Sequence, residues 1–167
     1  MLFNTSLSSG EGFSKTSYKI VKVKELYALS LPYYLEKTSG LSTTASLQYR
    51  NLTKKLLVIV VDEEKLKMDS LMTAFTPADY YDHVARQVAQ KLDEAVIEKP
   101  SAKVIGTCNA LQGGIDGKFL GTPLRYIIEI VESKTHYYQI ICWTEEASIS
   151  DVGNDIHLII NSFKELK

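Results

Sequence analysis

The chain reads as an α+β protein, an α-β-α layered sandwich on a mainly antiparallel sheet with a long central helix and a second helix at the C-terminus. Three observations predict this. Strand-like segments fill both halves of the chain, and one long amphipathic stretch after Thr76 interrupts them. The chain then ends on a strand, Tyr137–Trp143, followed by an amphipathic helix that runs to Asn161-Ser162-Phe163-Lys164.

In chain order, residues 1–17 are rich in Ser, Thr and Gly and read as a flexible N-terminal leader, and residues 18–167 as one folding unit. Tyr18 to Leu31 mixes alternation with apolar pairs, which predicts one or two strands stopped by Pro32, since proline has no N–H for the ladder. Leu47-Gln48-Tyr49 and Leu56–Val61 read as two strands joined by the polar segment Arg50–Lys54. The second is apolar at every position and is expected to be covered on both faces. Asp62–Ser70 is a charged, helical connection.

The long helix opens at Thr76, a side chain that can cap it, with Pro77 in its first turn and Asp79 at the positive end of its dipole. Tyr81, Val84, Val88, Leu92 and Ala95 with Val96 step by three or four and form its apolar stripe, so that it is expected to run to Lys99-Pro100. Lys103–Leu111, Phe119–Val131 and His136–Trp143 then read as an antiparallel meander, with Gly113–Gly117 reversing the chain between the first two and Pro123 marking an edge or bulge. In the last helix Ile149, Val152, Ile156, Ile159, Ile160 and Phe163 again define one face.

Composition narrows the function classes. A net charge of -1 gives no broad attraction to nucleic acid, and the longest apolar run, Leu56–Val61, is far short of the ~20 residues that span a bilayer. The leader lacks the basic and apolar regions of a signal peptide, so the sequence as given reads as cytoplasmic, or as periplasmic or lipid-anchored if a processed signal was omitted. Cys108 and Cys142 have no metal-ligand spacing and read as buried free thiols, a disulfide requiring that their strands be neighbours. His83, His136 and His157 have no pairing at metal-ligand spacing and read as surface or boundary residues; no metal or cofactor is expected. Asp62, Glu63 and Glu64 read as a solvated helix start, and Glu145 and Glu146 likewise.

The chemistry-bearing feature is aromatic. Ten tyrosines include the adjacent pairs Tyr33-Tyr34, Tyr80-Tyr81 and Tyr137-Tyr138, and adjacent residues cannot both bury their rings on one face. Tyr33, Tyr34, Tyr80 and Tyr137 are therefore the candidate binding residues, at one end of the sheet. The element order, Leu29-Ser30-Leu31-Pro32, Tyr137-Tyr138-Gln139-Ile140 and Ile160-Asn161-Ser162-Phe163-Lys164 resemble the PsbP-like superfamily, which includes the extrinsic photosystem II subunit, the Ran-binding release factors and DcrB-type bacterial proteins. That resemblance implies an α-β-α sandwich that binds other proteins and has no shared catalytic constellation. The expected function is thus a non-enzymatic binding or accessory module acting on a protein partner. The competing expectation is a small ligand carrier or enzyme with a pocket between sheet and helix.

Overall fold

A computed structural model describes residues 16–69 and 76–166; most of the expected leader and the end of the charged connection lie outside the described residues. The α+β architecture is as expected: the central sheet carries one helix on one face, and a second helix with a small sheet on the other.

The eight-stranded sheet runs β3 (Glu36–Lys37), β4 (Leu47–Asn51), β5 (Leu56–Glu64), β10 (His136–Glu145), β9 (Thr122–Glu132), β8 (Cys108–Phe119) and β6 (Asp93–Ile97). β7 (Ser101–Ile105) pairs with the other half of β8, and all these pairings are antiparallel. Tyr18–Leu31 folds into β1 (Tyr18–Val23) and β2 (Tyr27–Pro32), which join β11 (Lys164–Glu165) in a separate three-stranded sheet. Tyr27 of β2, Tyr138 of β10 and Phe163 pack with ring centroids 4.9–5.8 Å apart and bind this small sheet to the central one.

β5 is covered on both faces, as its unbroken apolar run requires. Leu56, Val58 and Val60 join the core beneath the C-terminal helix α3 (Ile149–Asn161), and Ile59 joins the core beneath the central helix α2 (Pro77–Ala89). α2 begins as its local chemistry dictates: the Thr76 side chain accepts from the Asp79 N–H, and the Asp79 carboxylate accepts from the Thr76 N–H, with Pro77 at the first position. Tyr80, Tyr81, Val84 and Ala85 form its buried face. α3 buries Val152, Ile156, Ile159 and Ile160, and also Asp155, which accepts hydrogen bonds from Tyr18 (2.5 Å) and Tyr34 (2.6 Å).

Four local expectations are corrected. α2 stops at Ala89, not near Lys99, because Asp93–Ile97 pairs with β8; Glu94 takes a left-handed φ of 54° where the register shifts between Asp93 and Val96. Gly113–Gly117 is not a reversal but lies inside β8, and the reversal falls at Leu120 (φ 48°) and Gly121 (φ 83°), a two-residue hairpin between Phe119 and Thr122. Gly113 is required there by packing: a Cβ would overlap the Tyr81 hydroxyl. Lys103–Leu111 is two strands, reversed at Gly106 (φ 60°) and Thr107. Asp62, Glu63 and Glu64 extend β5 opposite Tyr138, Tyr137 and His136, and the short helix α1 (Lys65–Asp69) starts only after them.

Candidate binding groove

α2 is too short to cover its face of the sheet. Along the uncovered part, Leu57, Trp143 and Tyr126 are cross-strand neighbours on β5, β10 and β9, all half-buried. The Tyr126 and Trp143 rings stack with centroids 5.4 Å apart and planes 10° off parallel. Between this row, the C-terminal half of α2 and the loop Gly40–Thr44 lies a cavity of about 650 Å³. A second concavity of about 360 Å³, lined by Leu52, Leu57, Leu124 and the Lys55–Glu145 ion pair among others, adjoins it at Trp143, and the two make up the groove.

The floor is apolar, from Ile59, Val61 and Ile141, and the polar groups around it are amides and hydroxyls: Gln87 and Gln90 of α2, Gln139 of β10, and Ser42 to Thr44. Lys91 is the charged residue among those lining the first cavity. The loop wall is held in place, since Gln48 Oε1 accepts from the N–H groups of Leu41 (2.9 Å) and Ser42 (3.2 Å) while its Nε2 donates to the Ser42 carbonyl (3.0 Å). The wall is thus fixed by the chain's own hydrogen bonds.

Gln139 is the buried polar group of the floor, 9% exposed, and its Nε2 donates to the Tyr80 hydroxyl (2.7 Å). Tyr80 in turn donates to Glu63 Oε2 (2.6 Å). Burial and the neighbouring Glu63 carboxylate hold the Tyr80 hydroxyl protonated far above the ordinary range of a phenol. The relay leads from the groove to a concavity of about 540 Å³ at the other end of the sheet, lined by Lys24, Asp62, Glu63, Glu64 and His136 among others.

The four tyrosines expected to form one surface are not brought together on one. Tyr33 is 63% exposed; Tyr34 is half-buried, its hydroxyl tied to Asp155. Tyr80 and Tyr137 are core residues, 1% and 4% exposed, stacked on each other at 4.7 Å, because α2 turns both Tyr80 and Tyr81 inward and Tyr137 lies beneath it. Trp143 and Tyr126, which no motif marked, are the stacked, half-buried aromatic pair on the face that α2 leaves uncovered. Their signal was alternation: Trp143 falls on the same strand face as Ile141, opposite to Cys142.

Cys108 and Cys142 are buried free thiols, separated by β9, and burial pushes both thiols up. His83 and His157 are exposed and His136 is half-buried beside Tyr138. Among the described residues no three His, Cys, Asp or Glu side chains gather as a metal site, and no helix is long and apolar enough to cross a membrane.

An antiparallel sheet with α2 on one face, and with α3 and a small N-terminal sheet on the other, defines the class: the chain has a PsbP-like α+β fold. It is similar to the solution structure of cyanobacterial PsbP (CyanoP) from Synechocystis sp. PCC 6803, with a TM-score of 0.68, 15% identity, and 95% of this chain and 98% of that one covered. It is also similar to LpqN of Mycobacterium tuberculosis, a protein involved in cell envelope biogenesis, with a TM-score of 0.58, 12% identity, and 92% and 87% covered. No family model and no curated protein sequence matches the chain.

Proposed function

We propose that the protein is a non-enzymatic binding module that holds an extended segment of a partner protein in the groove between α2 and the sheet. The observation that carries this reading is the composition of the first cavity: apolar floor, amide and hydroxyl walls and the stacked Tyr126–Trp143 pair, with no His, Cys, Asp or Glu among its lining residues. Such a surface recognises neutral hydrogen-bonding groups and apolar side chains, and its Ser42–Thr44 hydroxyls have no histidine or carboxylate among the lining residues to activate them. The PsbP-like fold supports an accessory role only by analogy.

A photocrosslinking amino acid at Gln87, on the groove rim, tests the reading against one at His157 on the far face. The expected outcome is a dominant protein adduct from position 87 alone, lost on Trp143→Ala; equal adducts from both faces, or adducts indifferent to Trp143, refute it. A small ligand is the second reading, favoured by the cavity volume, which lies within the roughly 300–1,000 Å³ of small-molecule sites. Native mass spectrometry of the purified protein separates the two, a bound small molecule appearing as added mass without a polypeptide.

A further inference from the structure

We infer that Gln139 sets the specificity of the groove by presenting a fixed hydrogen-bond acceptor, so that the bound segment must donate an N–H at this point; this rests on the binding reading above. A glutamine amide has an acceptor end and a donor end, and in an open groove it turns to suit either kind of ligand. Here it cannot turn. The Tyr80 hydroxyl has one proton, and that proton goes to Glu63 Oε2 at 2.6 Å, because an ionised carboxylate only accepts. The Tyr80 oxygen is left to accept from Gln139, so the amide nitrogen faces Tyr80 at 2.7 Å and the amide oxygen faces away from it.

Gln139 lines the groove beside the floor residues Val61 and Ile141, with Ile141 between it and Trp143 along β10. The acceptor is therefore set among groups that grip side chains, an arrangement suited to an extended polypeptide, whose N–H groups recur beside its side chains. The first cavity has no carboxylate in its lining, which leaves Gln139 to take the donated proton without competition from a charged acceptor. Glu63, on the far end of the relay, acts through Tyr80 as a positioning residue and does not itself line the first cavity.

The test uses the full chain, with its one tryptophan, Trp143, as the reporter. Capped hexapeptides randomised over apolar and small residues are screened for a change in Trp143 fluorescence, and the tightest binder is resynthesised with each backbone amide in turn replaced by an ester, which removes one N–H donor. The wild type is expected to lose roughly fivefold in affinity at one ester position. Tyr80→Phe keeps the ring on Tyr137 but removes the oxygen that orients Gln139, and is expected to cut that ester penalty below about twofold. Glu63→Gln provides a second variant: its amide can donate to Tyr80, freeing the Tyr80 proton for Gln139 and turning the amide around, with the same loss of ester sensitivity. An ester scan that is flat in the wild type, or a penalty unchanged in both variants, overturns the role of Gln139 and leaves the groove reading standing. If no peptide in the pool perturbs Trp143, the groove reading falls, and this inference with it.

Discussion

Replacing Glu129 by glutamine removes a carboxyl that is fully buried in the interior. Glu129 lies on β9 on the α3-bearing side of the sheet, 0% exposed, and neither of its carboxylate oxygens has a hydrogen-bond partner among the described residues. The nearest cation, Lys103 Nζ, is 3.5 Å from Oε2 but is itself held by Gln112 Oε1 (2.8 Å) and Asn161 Oδ1 (3.0 Å). Burial pushes the Glu129 carboxyl up to about 7, and the Lys103 ammonium pulls the other way without restoring an ordinary value. A carboxyl raised on folding stabilises the protein fully below its unfolded value of 4.5, and that stability is lost as pH rises through about 7. Integrated from pH 5 to pH 8, the loss is on the order of 2–3 kcal/mol, taking 1.36 kcal/mol per pH unit of differential proton binding. Urea unfolding followed by Trp143 fluorescence at intervals across that range gives the difference in stability between wild type and Glu129→Gln, in which shared titrating groups cancel. The variant is expected to gain on the wild type steadily toward pH 8. A difference that stays constant with pH, or one that moves in favour of the wild type, refutes a buried carboxyl that titrates near neutrality.

Three further changes test particular contacts. Asp155→Asn leaves a single side-chain acceptor for the two tyrosine hydroxyls of Tyr18 and Tyr34, and is expected to cost about 1–3 kcal/mol in chemical denaturation, reading out the tie between α3 and the N-terminal strands. Gly113→Ala drives a Cβ into the Tyr81 hydroxyl and is expected to cost about 1–3 kcal/mol, partly relieved by Tyr81→Phe; a double-mutant cycle with no coupling would remove this contact as the reason for the glycine. Leu120→Asn places a residue that tolerates a left-handed φ where an 87% exposed leucine now sits, and is expected to stabilise by roughly 0.5–1 kcal/mol in a thermal melt.

What could be read from the sequence was what local chemistry decides. The start of α2 was legible because Thr76, Pro77 and Asp79 carry its capping box within four residues. Its end was not, because Asp93–Ile97 becomes a strand only when β8 is there to pair with it, and the apolar stripe through Leu92, Ala95 and Val96 continues the helical spacing regardless. Gly113 and Gly114 looked like a turn for want of any sign that Tyr81 and Arg125 from distant segments occupy the space a Cβ would need. The true turn was hidden because Leu120 is not a residue that announces a left-handed position. Where the tyrosines lie was not legible for the same reason: α2 buries both Tyr80 and Tyr81 despite their adjacency, the sheet is covered on both faces at Tyr137 and Tyr138, and α2 ending at Ala89 leaves Trp143 and Tyr126 half-open.

The sheet itself separates the buried ionisable groups of β9 and β10 from the groove. Glu129 and Cys142, a buried carboxyl and a fully buried thiol, both project toward the core beneath α3, while the groove opens on the opposite face, above Ile59 and Ile141. Alternation along β9 and β10 enforces this, since Trp143 and Tyr126 can reach the groove only if Cys142 and Glu129 cannot. Glu129→Gln should therefore reshape stability against pH and leave peptide affinity at Trp143 unchanged, whereas Tyr80→Phe should alter ester discrimination without changing the pH dependence that Glu129 imposes. A shift in peptide affinity on Glu129→Gln at a pH where both proteins are fully folded would mean that the two faces are coupled through the strands, and would reopen the groove to chemistry driven from behind.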